Sequence, residues 1–106
     1  MKTREYYLLL ALAGGVRHGL AMARDVVRLS AGEIKLWPAT LYGTLEELIE
    51  HGWIAEAAQP PADESERKRF YTLTRTGRQA LAAETERLGA VVKVARARLK
   101  RAGETS

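Results

Sequence analysis

The segment from Arg75 to Arg101 constrains this chain most. It reads as one helix of a little over 25 residues and so roughly 40 Å long, with Thr74 placed as its N-cap. Its apolar positions Leu81, Leu88, Val92, Ala95 and Leu99 are spaced 7, 4, 3 and 4, and Thr85 fills the wide interval with a weaker residue. That spacing is a coiled-coil-like seam. A rod of this length cannot bury such a stripe against the roughly 75 residues that precede it, so a second subunit is expected to cover it. The last residues, 103–106, read as a frayed tail.

The rest of the 106 residues bound the answer further. This length fits one globular unit. Without cysteine, the chain has no disulfide, thiolate metal site or cysteine nucleophile, which agrees with a cytoplasmic address. The longest uncharged apolar run, Tyr6 to Val16, falls far short of the roughly 20 residues a membrane span needs, so no membrane role is expected.

Within that run, Tyr6 to Ala13 is apolar on every helical face and stops at Gly14-Gly15. A helix of this kind must be covered all round, and Tyr6, Tyr7 and Leu10 are assigned to the dimer interface together with Leu81, Leu88, Val92, Ala95 and Leu99. After His18-Gly19, the residues Leu20, Met22, Ala23, Val26 and Val27 read as the apolar side of a second helix. Pro38 suits the first turn of a third, in which Leu41, Leu45, Leu48 and Ile49 form the stripe and Gly52 the stop. Trp37 and Trp53 flank this helix and are assigned to the core.

The block Trp53 to Ala58 and the block Arg67 to Thr74 are strand-like, and the Pro- and acid-rich residues between them form a turn, which together make a two-stranded hairpin. The fold class is therefore mainly α (α+β): a winged helix-turn-helix over residues 1–77, with the hairpin as wing, and a long C-terminal dimerisation helix over 78–102. In that architecture the third helix enters the DNA major groove, the second braces it, and the wing reaches the backbone. Cations stand where this needs them: Arg24 and Arg28 on the second helix, Lys35 in the turn, and Arg67, Lys68 and Arg69 in the wing. Ala39, Thr40, Tyr42, Gly43 and Thr44 complete the candidate DNA-binding set.

The run Leu36-Trp37-Pro38-Ala39-Thr40-Leu41-Tyr42-Gly43-Thr44-Leu45, then Gly52-Trp53-Ile54, then Arg69-Phe70-Tyr71-Thr72-Leu73-Thr74-Arg75-Thr76-Gly77 resembles the PadR family of bacterial transcriptional regulators. The resemblance covers residues 5 to about 80 and is closest to the compact branch with a single C-terminal helix. It implies a homodimeric repressor that binds double-stranded DNA at a roughly palindromic operator. Some members of that branch bind flat hydrophobic effectors between subunits, so a small hydrophobic or aromatic effector is one reading, with Tyr6, Tyr7, Leu10, Val91 and Val92 as its candidate pocket; the plainer reading of these five is interface core.

One departure stands out. The face of the third helix opposite its Leu stripe carries Ala39, Gly43, Glu46, Glu47 and Glu50 and no cation, so the commonest base contact, a bidentate Arg or Lys on guanine, is missing. These acids favour an alternative, a winged-helix protein–protein interaction module without DNA binding. An enzyme is not expected: no serine lies beside a histidine, no Gly-rich phosphate loop is present, and His18 and His51 lie apart from any metal-ligand cluster, so neither catalytic residues, nor a metal, nor a cofactor is assigned.

Overall fold

The computed structural model describes residues 1–60 and 68–105. The elements run α1 (Thr3–Leu12), β1 (Arg17–His18), α2 (Gly19–Leu29), α3 (Pro38–Glu50), β2 (Ile54–Ala57), β3 (Phe70–Leu73) and α4 (Arg75–Thr105). The mainly helical winged helix-turn-helix is as expected, with the sheet antiparallel in the order β1-β3-β2.

At the start of α1, the Glu5 carboxylate turns back to accept from the Lys2 backbone N–H at 2.7 Å, which satisfies one donor the first turn leaves open. Leu8, Leu9, Ala11 and Leu12 of this helix are buried against Met22, Val26, Leu41, Leu45, Leu48, Ile54 and Tyr71. The chain's own core thus covers more of α1 than its apolar surface suggests, and of its apolar residues Tyr6, Tyr7 and Leu10, with Ala13 at the C-cap, are left half-buried. Helix α2 divides its apolar residues in a way that periodicity does not anticipate. Met22 and Val26 enter the core, whereas Leu20 stays exposed and Ala23 and Val27 are half-buried.

The sheet has one strand more than the expected hairpin. In β1, Arg17 pairs with Tyr71 and His18 with Phe70. Two residues are too few to show an alternating pattern, so this edge is invisible to sequence periodicity. The two expected strands are shorter than read, pairing Ile54 with Leu73 through Ala57 with Phe70. Much of the connecting turn, 61–67, lies outside the described residues.

Four element ends meet at one point. Trp53 N–H donates to the Leu48 carbonyl at the end of α3, and Gly52 takes a φ of +76°, a left-handed conformation that favours glycine. The Thr74 hydroxyl donates to the Gly52 carbonyl at 2.6 Å and accepts from Gly77 N–H at 2.9 Å, which makes it the expected N-cap of α4. The Trp53 carbonyl accepts from Thr74 N–H at 3.1 Å. Gly77 lies so close to this carbonyl that a Cβ would come within 1.8 Å of its oxygen.

Helix α4 then leaves the domain. Leu81 is buried, Leu88 is half-buried, and every described side chain from Gly89 onward is exposed. The helix continues through 103–105, the segment expected as tail, because a single Gly103 costs only about 1 kcal/mol and no proline follows it.

Gly77→Ala is expected to destabilise the fold by about 3 kcal/mol, since rigid backbone, not a flexible side chain, occupies the space its methyl needs. Chemical denaturation checks this; an unchanged midpoint would mean that α4 does not dock on Trp53 as described.

Candidate nucleic-acid interface

Trp37 is the N-cap of α3, held extended at φ −71° and ψ 154° by the proline that follows it. Pro38 opens the helix, where its missing N–H would have no partner in any case. The buried side of α3 is Leu41, Thr44, Leu45 and Leu48, and the outer side is Ala39, Thr40, Tyr42, Gly43, Glu46 and Glu50.

Thr44 therefore leaves the candidate DNA-binding set. It is 2% exposed, its hydroxyl donates to the Thr40 carbonyl at 2.7 Å, and it accepts from Arg4 Nε at 3.1 Å. Its neighbours on the Leu stripe carry it inward with them. Glu47 is half-buried and its carboxylate lies 3.6 Å from Lys2 Nζ.

Tyr42 lies across α2. A Cβ on Gly19 would come within 3.2 Å of its ring and 3.3 Å of its hydroxyl, so the glycine is what lets the phenol settle there. Around this contact His18, Gly19, Leu20, Tyr42, Lys68 and Arg69 line a depression between the first turn of α2, the outer side of α3 and the wing. His18 caps α2, its Nδ1 accepting from Ala21 N–H at 3.2 Å, and meets the Phe70 ring edge-on.

The cations differ in how they are engaged. Arg69 Nε donates to Glu56 Oε1 at 2.7 Å, its guanidinium approaches Glu46 Oε1 at 3.6 Å, and it stands over the Tyr71 ring. The hydrogen bond from Arg69, reinforced by its charge, holds the Glu56 carboxyl below the usual carboxylate range, and the same bond raises the Arg69 pKa. Beneath them Tyr71 is fully buried; burial pushes its phenol up, and its hydroxyl has no partner among the described residues. Arg28 is bound by Asp25 at 2.5 Å. Arg24, Lys35 and Lys68 are exposed and make no ion pair among the described residues. Arg67 lies outside those residues.

Trp37 is the largest correction to the sequence reading, being 73% exposed instead of part of the core. It falls four residues before Leu41, at stripe spacing, but its extended backbone takes it off the helical face. The available signal was Pro38, which disfavours a helical Trp37. Trp53, by contrast, is half-buried and stacked on His51.

The residues assigned to the dimer interface separate into two groups. Leu81, 7% exposed, belongs to the chain's own core. Tyr6 and Tyr7 line a depression with Lys2, Glu84, Arg87 and Leu88, and the Tyr6 hydroxyl is 2.8 Å from that of Thr85. Val91, Val92, Ala95 and Leu99 are exposed along α4. The five effector-pocket residues are likewise divided: Tyr6 and Tyr7 border the first depression, whereas Val91 lines a strip further along α4 with Ala90, Val94, Ala95 and Leu99. Among the described residues no helix is long and apolar enough to cross a membrane.

The sequence model of the transcriptional regulator PadR-like family matches residues 8–83, which run from the second half of α1 through the first turns of α4. The chain belongs to this family of transcriptional regulators. A PadR family transcription regulator from Clostridium difficile is similar over 88% of this chain and 94% of its own, at 20% identity and a TM-score of 0.75. A transcriptional regulator from Clostridium thermocellum, Cth-833, is similar over 85% and 86%, at 20% identity and a TM-score of 0.69. Bacillus subtilis PadR, in complex with operator DNA, is similar over 79% of this chain and 47% of its own, at 21% identity and a TM-score of 0.66. At these identities the likeness is one of fold. Among curated proteins none matches the sequence.

The wing pair of this PadR-like chain has a defined pH dependence. Because the Glu56 pKa is lowered in the folded state, its contribution to stability is present above the ordinary carboxylate pKa and is lost as pH falls through the depressed value. Carbon-detected NMR titration is expected to place the Glu56 midpoint below the ordinary carboxylate range, and Arg69→Met to return it to that range. An unshifted midpoint in the wild-type protein would remove Arg69 from the wing pair.

Proposed function

We propose that this PadR-like chain is a homodimeric repressor that binds a roughly palindromic DNA operator in the cytoplasm. The observation that carries the reading is the set of cations without an ion pair among the described residues, Arg24, Lys35 and Lys68, arrayed around the exposed start of α3, where Thr40, Tyr42 and Gly43 also stand. Unpaired cations can release counterions from phosphates, whereas Arg28 and Arg69 must first give up a carboxylate. Phosphate contacts then supply most of the affinity, and half-site spacing and DNA shape supply part of the choice of sequence. Support for the dimer comes from the exposed Val91, Val92, Val94 and Leu99 on a helix that its own domain leaves uncovered.

The acids of α3 favour the rival interaction module, but Glu46 and Glu47 are each opposite a cation of the same chain, Arg69 and Lys2. An effector of small hydrophobic or aromatic character fits only if a second subunit brings Val91 and Val92 to Tyr6 and Tyr7.

Titration with duplex from the chain's own promoter region at several salt concentrations tests the reading. Binding should weaken steeply with salt, and Lys68→Ala should lower the slope by about one. Glu46→Gln should tighten binding several-fold at low salt by removing a negative charge from the DNA-facing side of α3. No binding at low salt would overturn the proposal in favour of the interaction module. Val92→Glu, at a position exposed in the monomer, should give a folded monomer by sedimentation, and an unchanged dimer would contradict the assigned interface.

A further inference from the structure

Trp37 stands 73% exposed beside Leu20, itself 46% exposed. With Val27 and Leu36 they form a shallow apolar groove between α2 and the start of α3, bordered by Arg24 and Lys35 and by no carboxylate. The indole makes no ring contact and its N–H has no hydrogen-bond partner among the described residues. A tryptophan this exposed leaves a large apolar area in water, at about 25 cal/mol for each Å² that a partner covers. The groove therefore fits a partner that presents apolar edges and negative charge together.

Leu20 identifies which partner. It lines this groove and also the depression formed by Gly19, Tyr42, Lys68 and Arg69, so the two adjoin at Leu20, between the wing and the N-cap of α3. Duplex DNA meets both demands: deoxyribose edges and thymine methyl groups are apolar, and phosphates flank them.

We propose that Trp37 is a DNA-contacting residue, its ring packed on a deoxyribose edge or thymine methyl at the lip of the major groove and its Nε1–H donating to a phosphate oxygen. Arg24 and Lys35 hold the flanking phosphates. The inference rests on the DNA-binding reading above and adds to it a contact that carries no charge.

That property sets the test. Wild type, Trp37→Ala, Trp37→Phe and Lys35→Ala are titrated with a labelled mixed-sequence duplex of about 30 bp over a range of salt from about 50 mM. Trp37→Ala should bind about tenfold more weakly, with the wild-type salt slope and an unchanged melting temperature; Lys35→Ala should lower the slope by about one. Trp37→Phe, which keeps an apolar ring but loses the N–H, should fall between wild type and alanine. The difference in indole emission between wild type and Trp37→Phe isolates Trp37 from Trp53 and should change on DNA addition. Alanine binding within twofold of wild type, or a Trp37 emission unchanged at saturation, would overturn the inference and leave the groove to a protein partner. Absence of binding by wild type would overturn the DNA reading itself and the inference with it.

Discussion

The contact between α4 and the Trp53 carbonyl is the constraint on which the other elements depend. Helix α3 ends, β2 begins, β3 ends and α4 begins within a few residues of it, at Gly52, Trp53, Thr74 and Gly77. Because Gly77 admits the carbonyl where any side chain would exclude it, the first turn of α4 is set directly against the strand that leaves α3. Helix α3, the wing and the long C-terminal helix are thereby held at one junction of backbone hydrogen bonds, so α4 cannot turn at its base without moving α3 and the wing. From the other end of the domain α1 reaches the same elements through polar contacts, Arg4 to Thr44, Lys2 to Glu47 and Tyr6 to Thr85.

Electrostatics acquires its meaning from pairing. A net charge of +4 says little about partners, and the acids of α3 argue against DNA when counted alone. In the fold, Glu46 and Glu56 are opposite Arg69 and Glu47 is opposite Lys2, whereas Arg17, Arg24, Lys35 and Lys68 are exposed and have no ion pair among the described residues. Among the described residues, the basic surface therefore extends from Lys68 toward α2 and the start of α3.

The winged-helix order was legible in sequence because its elements carry strong local signals: the Gly14-Gly15 stop, Pro38 at a first helical turn, and Thr74 before an uninterrupted helix. Trp37, Thr44 and Leu81 were misplaced because residue type and spacing do not show what each side chain meets in the fold. Periodicity assigns a side chain to a stripe but does not say what lies opposite. Leu81 meets its own core before any partner, Thr44 follows Leu41 and Leu45 inward, and Trp37 leaves its stripe because the following proline holds it extended. β1 was missed because strand pairing over two residues is a tertiary event, dictated by where β3 lies and not by Arg17 and His18 themselves.

The central claim is that duplex DNA is met by the surface running from Lys68 across Gly19 and Tyr42 to Trp37. Backbone amide NMR of the intact chain, titrated with duplex DNA, tests it most directly. Resonances of Gly19, Thr40, Gly43 and Lys68 and the Trp37 indole N–H are predicted to shift, with Val91 to Leu99 unmoved. Shifts confined to α4, with this surface silent, would contradict the account.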